Sequence, residues 1–203
     1  MNQTARVPSP RAEELLEHAY RYVLQHGLAD LSLRPLAAAI GSSPRVLLFL
    51  FGSKDGLVRA LLARARSDEL AFLDGAGAHR TEGDLAAVVR ATWQWLAAEP
   101  VRPLLMLWAE AYARSLIEPG GPWSGFARQT VDDWLDVLAA AQPAARRRSK
   151  AGAAERTLAL AVLRGGLLDL LATGDADRVS DAIEQHLRQM AGRSGRAPRE
   201  RPR

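Results

Sequence analysis

The sequence predicts an all-α protein, with a three-helix N-terminal head and a larger helical body, about nine helices in all. Three observations carry this. Apolar residues recur at helical spacing in nearly every segment. No stretch alternates apolar and polar residues as a half-buried strand does. The segments are punctuated by helix stops and starts: Gly27, Ser32, Gly41, Ser43 and Ser53 early, then Pro100, "EPGGP" at 118–122, "QPAARRRSKAG" at 142–152 and "TGDAD" at 173–177.

The first helix is predicted from about Pro10 to His26, with Leu15, Leu16, Ala19, Tyr20, Val23 and Leu24 on one stripe and Gly27 as its stop. Ser32 opens the short helix "LRPLAAAI", whose Pro35 is tolerated because it lies in the first turn. Gly41 ends it. Ser43 caps a third short helix running to about Leu50, with Pro44 at the first helical position. Ser53 caps a longer fourth helix through Leu57, Leu61, Leu62 and Ala65, ending near Gly75–Gly77. From Thr81 the helices, near 82–98, 101–118, 123–141, 153–173 and 176–191, are larger and more apolar, and they contain all five Trp. The expected division is a head at 1–52, a connecting helix and body at 53–191, and a tail at 192–203.

The composition narrows the function classes. Of the 203 residues 48% are apolar and 25% charged, ordinary values for a globular protein. The absence of cysteine removes disulfides, thiolate metal sites and thiol nucleophiles. "MNQTARVPSPR" lacks the apolar run of a secretory signal, and no stretch is long and charge-free enough to span a bilayer, so the expected location is the cytoplasm, without a membrane partner. The formal charge of +4 comes from the tail "GRSGRAPRERPR", which reads as disordered; residues 1–191 hold 22 basic and 22 acidic side chains. Nucleic-acid affinity must therefore be argued from placement rather than net charge. The four histidines (18, 26, 79, 186) have no metal-ligand spacing, and no phosphate loop or nucleophile motif is present. The expectation is a protein that is not an enzyme and needs no metal or cofactor.

Two short helices separated by "GSS", after a longer support helix, have the helix-turn-helix arrangement. Arg11, Leu15-Leu16, Ala19, Gly27, Ser32, Leu36-Ala37, Gly41, Ser43, Leu47, Phe51, Ser53-Lys54 and Leu57 also fall in one recognisable order and spacing. Over its first sixty residues the chain thereby resembles the TetR family of transcriptional regulators, whose pattern runs roughly R…IL.AA…G…T…IA…GVS.GTLY.HF.SK..L. Four positions depart from it. Arg45-Val46 stands where the family has Gly-Thr, Leu48 where it has Tyr, and Leu50 where it has His or Tyr. The hydroxyl groups of the pattern are missing there, which bears on operator sequence and affinity and leaves the fold untouched.

Helical geometry divides the apolar row 46–51. Leu47, Leu50 and Phe51 share a face and should pack onto the first two helices, whereas Pro44, Arg45, Leu48 and Phe49 lie around the other side. Arg45, near the helix start, is the expected base-reading residue or else a phosphate clamp. Leu48 and Phe49 are placed either for contact with thymine methyls and sugars or for peripheral packing on the fourth helix. Ser32 with Arg34, Ser43, and Ser53 with Lys54 mark helix N-termini that offer N–H groups to phosphate, and Lys54 matches the lysine that the resemblance implies contacts the DNA backbone.

In the body, helix 101–118 is apolar nearly all round. The aromatic set with its few polar ends suits either a core or a cavity for an apolar or aromatic effector; the expected lining is Trp93, Met106, Trp108, Glu110, Tyr112, Trp123, Phe126 and Trp134. Glu110 is placed either to accept from a ligand or to pair with Arg114 at i+4. The last two helices resemble the family's dimerising pair, with Leu163, Gly166, Leu167, Leu170, Ile183 and Leu187 as the expected homodimer contacts. The function so implied is a dimeric regulator of double-stranded operator DNA, a repressor released by a small ligand. The alternative is a helical ligand-binding or adaptor protein whose head no longer reads DNA.

Overall fold

Serine caps and proline starts place the first helices where their chemistry requires. In the computed structural model, which describes residues 9–78, 84–118 and 120–194, ten α-helices and one 3-10 turn form the described chain. These are α1 (Pro10–His26), α2 (Leu33–Ala39), α3 (Pro44–Phe51), α4 (Lys54–Ala78), α5 (Leu85–Leu96), α6 (Arg102–Ile117), α7 (Phe126–Ala140), α8 (Ala144–Arg147), α9 (Lys150–Thr173) and α10 (Ala176–Ser194), with the 3-10 turn at Glu99–Val101. No strand occurs among the described residues. The all-α expectation holds. The tenth helix is α8, inside a stretch expected to be a break. Arg147 hydrogen-bonds the carbonyls of Ala140 and Gln142 there, and Ser149 then caps α9 by accepting from the Gly152 N–H at 3.0 Å. α10 runs to Ser194, and the rest of the basic tail, like the expected helix start at 82, lies outside the described residues.

The described chain packs as two compact units: one drawn from Met1–Leu70 and Pro103–Thr130, the other from Ala71–Arg102 and Val131–Arg203. The first unit thus joins the head to α6. Its apolar core takes Leu15 and Ala19 from α1, Leu36 from α2, Leu47 from α3, and Leu57 and Leu61 from α4. α2 and α3 are bent at 102° to one another, within the ~90–120° range of a helix-turn-helix. Gly52, at φ +78°, closes α3 in a conformation that a side chain disfavours, and its N–H donates to the Leu48 carbonyl at 2.9 Å. Gly56 then brings the first turn of α4 against the end of α3. A Cβ at 56 would lie 2.0 Å from the Phe51 carbonyl oxygen, so only glycine permits this junction.

Polar links tie α1 to α4, and the α1–α2 loop to α6. Arg64 on α4 hydrogen-bonds Glu17 on α1 and Asp68 on its own helix, and its guanidinium lies 4.8 Å from the centre of the Tyr20 ring. Tyr20 donates to Asp68 Oδ2 at 2.9 Å; burial first, and then this carboxylate, push the phenol well above the ordinary tyrosine range. Glu110 on α6 uses both oxygens: Oε2 accepts the Leu28 N–H at 2.9 Å and Oε1 accepts from Arg114 at 3.2 Å. Of the two roles expected for Glu110, the structure has the Arg114 pair and adds a bond to the α1–α2 loop.

In the second unit α5, α9 and α10 pack together. Gly166 lets them approach: a Cβ there would stand 3.1 Å from both Ile183 Cδ1 and Trp93 Cζ3. Arg90 and Glu184 join α5 to α10 through two hydrogen bonds of 2.9 and 3.0 Å, which hold the Glu184 carboxyl below the usual carboxylate range. Arg178 and Asp169 join α10 to α9 in the same way.

Two outcomes follow for stability. Gly56→Ala has to displace backbone rather than a flexible side chain, and should cost about 1–3 kcal/mol in urea unfolding. Glu110→Ala strands the Leu28 N–H and should also cost about 1–3 kcal/mol, with faster hydrogen exchange at Leu28; Glu110→Gln keeps an acceptor and should retain most of that protection. Equal Leu28 exchange in the wild type and the Ala variant would remove the role given to this bond.

Candidate nucleic-acid interface

An eight-residue helix that is almost wholly apolar can bury only part of its circumference. At about 100° per residue, Leu47 lies on the inner side of α3 and is 1% exposed. Arg45, Val46, Leu48 and Phe49 occupy an arc of about 160° on the opposite side, with Arg45 and Phe49 at its centre. All four are exposed: Val46 38%, Leu48 40% and Phe49 76%. Leu50 and Phe51 flank the buried side and are half-buried. The expected split of the apolar row is therefore the observed one, except that Val46 joins the outer face. The same spacing of about 100° per residue puts Val46 at the edge of the arc that Arg45 and Phe49 centre.

The surrounding polar groups frame this arc. Ser43 caps α3 by accepting the Val46 N–H at 3.3 Å, with Pro44 at the first helical position. Ser53 caps α4 by accepting the Gly56 N–H at 2.9 Å, leaving Lys54 exposed at the helix start. Ser32 stands at the N-cap position of α2 but makes no side-chain cap bond, and Arg34 beside it is exposed. α3 carries no acidic residue. Three exposed cationic side chains, Arg34, Arg45 and Lys54, thus stand at the starts of α2, α3 and α4, and α3 adds an exposed apolar patch. Gly56 was not foreseen as a contributor; its signal was a glycine three residues after a capping serine, at a position where most helices carry a side chain.

The residues expected to line an effector site fall in both units. Trp108, Tyr112, Trp123 and Phe126 belong with Glu110 and Met106 to the first. There the rings of Trp108 and Tyr112 stack with centroids 5.0 Å apart, and the Arg114 guanidinium lies 5.1 Å from the Trp123 ring centre. Trp108, Trp123 and Phe126 are buried, whereas Met106 is 51% exposed. Trp93 and Trp134 are buried in the second unit, where the Trp93 indole N–H donates to Ser180 Oγ at 2.9 Å.

Leu163, Leu167, Leu170, Ile183 and Leu187 are buried in their own unit, and Gly166 faces Ile183 and Trp93. These six expected dimer contacts build the protomer's core. A different stripe of α9 is left open. Ala151, Ala154, Leu158, Ala161, Gly165, Leu168 and Ala172 are all exposed at alternating spacings of three and four, the repeat of a helix-packing seam.

Residues 15–61 match the family described as bacterial regulatory proteins, tetR family. Over 153 residues the chain is 30% identical to the HTH-type transcriptional regulators Rv1816 of Mycobacterium tuberculosis and Mb1846 of Mycobacterium bovis; the match covers 69% of this chain and 63% of each relative's length. Solved structures share its fold. A TetR transcription regulator from Haloarcula marismortui superposes with a TM-score of 0.65 at 21% identity, covering 85% of this chain and 92% of that one. The multidrug binding protein EbrR, complexed with imidazole, gives 0.62 at 23%, covering 91% and 96%. Residues 15–61 thus carry the head of the tetR family of bacterial regulatory proteins, and the described fold is the one seen in solved TetR regulators.

Proposed function

We propose that the protein is a dimeric DNA-binding transcriptional regulator, a repressor whose hold on its operator is weakened by a small apolar or aromatic effector. The observation that carries the reading is the outer arc of α3, with Arg45 at its centre and Lys54 exposed at the neighbouring start of α4. In a helix-turn-helix the second helix enters the major groove with its N-terminal residues toward base edges, while helix starts and lysines hold phosphate. Arg45 then reads guanine, and Lys54 with Ser43 and Ser53 fixes the register. The effector reading draws support from the stacked and buried aromatics of the first unit and from the likeness to a multidrug binding protein crystallised with imidazole.

The mechanism is a shift between head arrangements that do and do not fit the operator. Glu110 and Arg64 supply its mechanical part, because the head is bonded to α6 through Leu28 and to α4 through Glu17. A ligand that displaces α6 therefore loads the α1–α2 loop directly. The dimer forms through the open stripe of α9 centred on Ala161, Gly165 and Leu168. Packed against its copy, this face is self-complementary, as an isologous contact requires. Two heads then address half-sites about 34–36 Å apart.

Selection of bound sequences from random duplex DNA tests the reading. The wild type should enrich a discrete palindrome. Arg45→Ala should relax preference at one position by about 1–3 kcal/mol, while Lys54→Ala should weaken all sequences alike and reduce the salt slope by about one. Salt-dependent binding without sequence preference would instead favour a head that no longer reads DNA, and an unchanged preference in Arg45→Ala would remove the base-reading role. Independently, Leu168→Arg should yield a folded monomer in analytical ultracentrifugation, since this leucine is 55% exposed within the protomer. A dimer that survives this change forms through another face.

A further inference from the structure

We propose that the apolar arc of α3 reads the C5-methyl groups of thymine, so that half-site specificity rests on methyl contacts around a single Arg45 hydrogen-bonding contact. The inference rests on the head binding duplex DNA. It adds which feature of the base pairs is recognised and which side chains do it.

Hydrogen-bonding groups are nearly absent from the arc. Apart from Arg45, its side chains are Val46, Leu48 and Phe49, none of which can donate or accept a hydrogen bond. The major-groove edge of a base pair presents donors, acceptors and one apolar group, the thymine methyl. An apolar side chain seated over a cytosine amino group or a guanine carbonyl strips it of water and offers nothing in return. Over a thymine methyl the same side chain buries two apolar surfaces together. Discrimination therefore works in both directions, by a gain at thymine and a penalty elsewhere.

Position and charge commit the patch to DNA rather than to an apolar protein partner. Phe49, the most exposed large apolar side chain of the head, stands one helical turn from Arg45 and shares its direction. Exposed Arg34 and Lys54 sit at the starts of the two flanking helices, and α3 has no acidic residue to repel a phosphate backbone. The patch thus shares its helix with one of three cations, each near the start of a head or linking helix. Leu47 and the Ser43 cap fix the rotation of α3, so Phe49 cannot turn inward without unburying Leu47.

The test replaces thymine by deoxyuridine, which removes the methyl and keeps the pairing edge. Using the sequence enriched by the wild type, each thymine of a half-site is exchanged in turn and binding is followed by fluorescence anisotropy. The wild type should lose about fourfold in affinity for each contacted methyl, the factor equivalent to one buried methylene. Phe49→Ala, an exposed change that leaves the core intact, should lose sensitivity at one thymine position while keeping the wild-type salt slope. Because uracil also alters duplex stiffness, this double comparison separates contact from shape. The inference is overturned if the wild type binds the fully substituted operator as tightly as the thymine form, or if Phe49→Ala stays equally sensitive at every position. In either case a discrete enriched sequence would leave the regulator reading standing, whereas enrichment of no sequence would remove both.

Discussion

Leu47 is 1% exposed in a helix of only eight residues, and a helix that short has little stability of its own. Its conformation is imposed by this one inward anchor, by the Ser43 cap and Pro44 at its start, and by Gly52 at its end. Once Leu47 points inward, the rotation of α3 is set, and with it which side chains remain outside. The junction at Gly56 adds a second constraint, fixing α4 against the last carbonyls of α3. The outer face of the head is thus the remainder left by core packing. Its chemistry is decided by which residue types the chain places at 45, 46, 48 and 49.

The head was legible because its signals are local and mutually consistent. Caps, stops and apolar spacing each specify the same boundaries, and α1, α2 and α3 begin and end within a residue or so of where those signals put them. The split of residues 46–51 followed from helical geometry alone. What stayed hidden depended on distant partners. Nothing local marks α8, whose single turn exists because Arg147 and Gln142 have carbonyls and side chains of neighbouring elements to bond. Nor does anything in the sequence connect Glu110 to a backbone N–H eighty-two residues earlier. The i+4 arginine supplied a sufficient local explanation for that carboxylate and concealed the longer contact.

α9 teaches a different lesson. It carries two apolar stripes, one heavy with leucine and one of alanine, glycine and two leucines. The resemblance to the family's dimerising helix pair led to Leu163, Gly166, Leu167 and Leu170 of α9 as expected homodimer contacts. Burial within the protomer separates the two stripes. Leu163, Leu167 and Leu170 lie in the protomer's own core, and the lighter stripe of Ala161, Gly165 and Leu168 is exposed. The physical reason is that a protomer must bury its largest apolar groups before it meets a copy of itself, while a helix that will approach another closely benefits from small residues on that side. Gly166 misled for the same reason: its lack of a side chain does reflect close approach, but of α5 and α10 rather than of a second chain.

An α3 without hydroxyls, flanked by serine caps and cations on α2 and α4, separates, under the proposed reading, two components of recognition that are usually mixed. Phosphate contacts confer affinity and register without sequence information. Serine caps, Lys54 and Arg34 keep that component available. In the proposed reading, sequence information comes from Arg45 and from shape-matched apolar contact, and these differ in character. A bidentate arginine selects strongly at one base pair. Apolar contacts select more weakly at each position but across several neighbouring ones, and they penalise polar edges as well as rewarding methyls. A head built this way discriminates through the number of adjacent contacts more than through the strength of any single one. Its specificity then depends on how rigidly α3 is held, which returns the weight of the argument to Leu47, the Ser43 cap and the Gly56 junction.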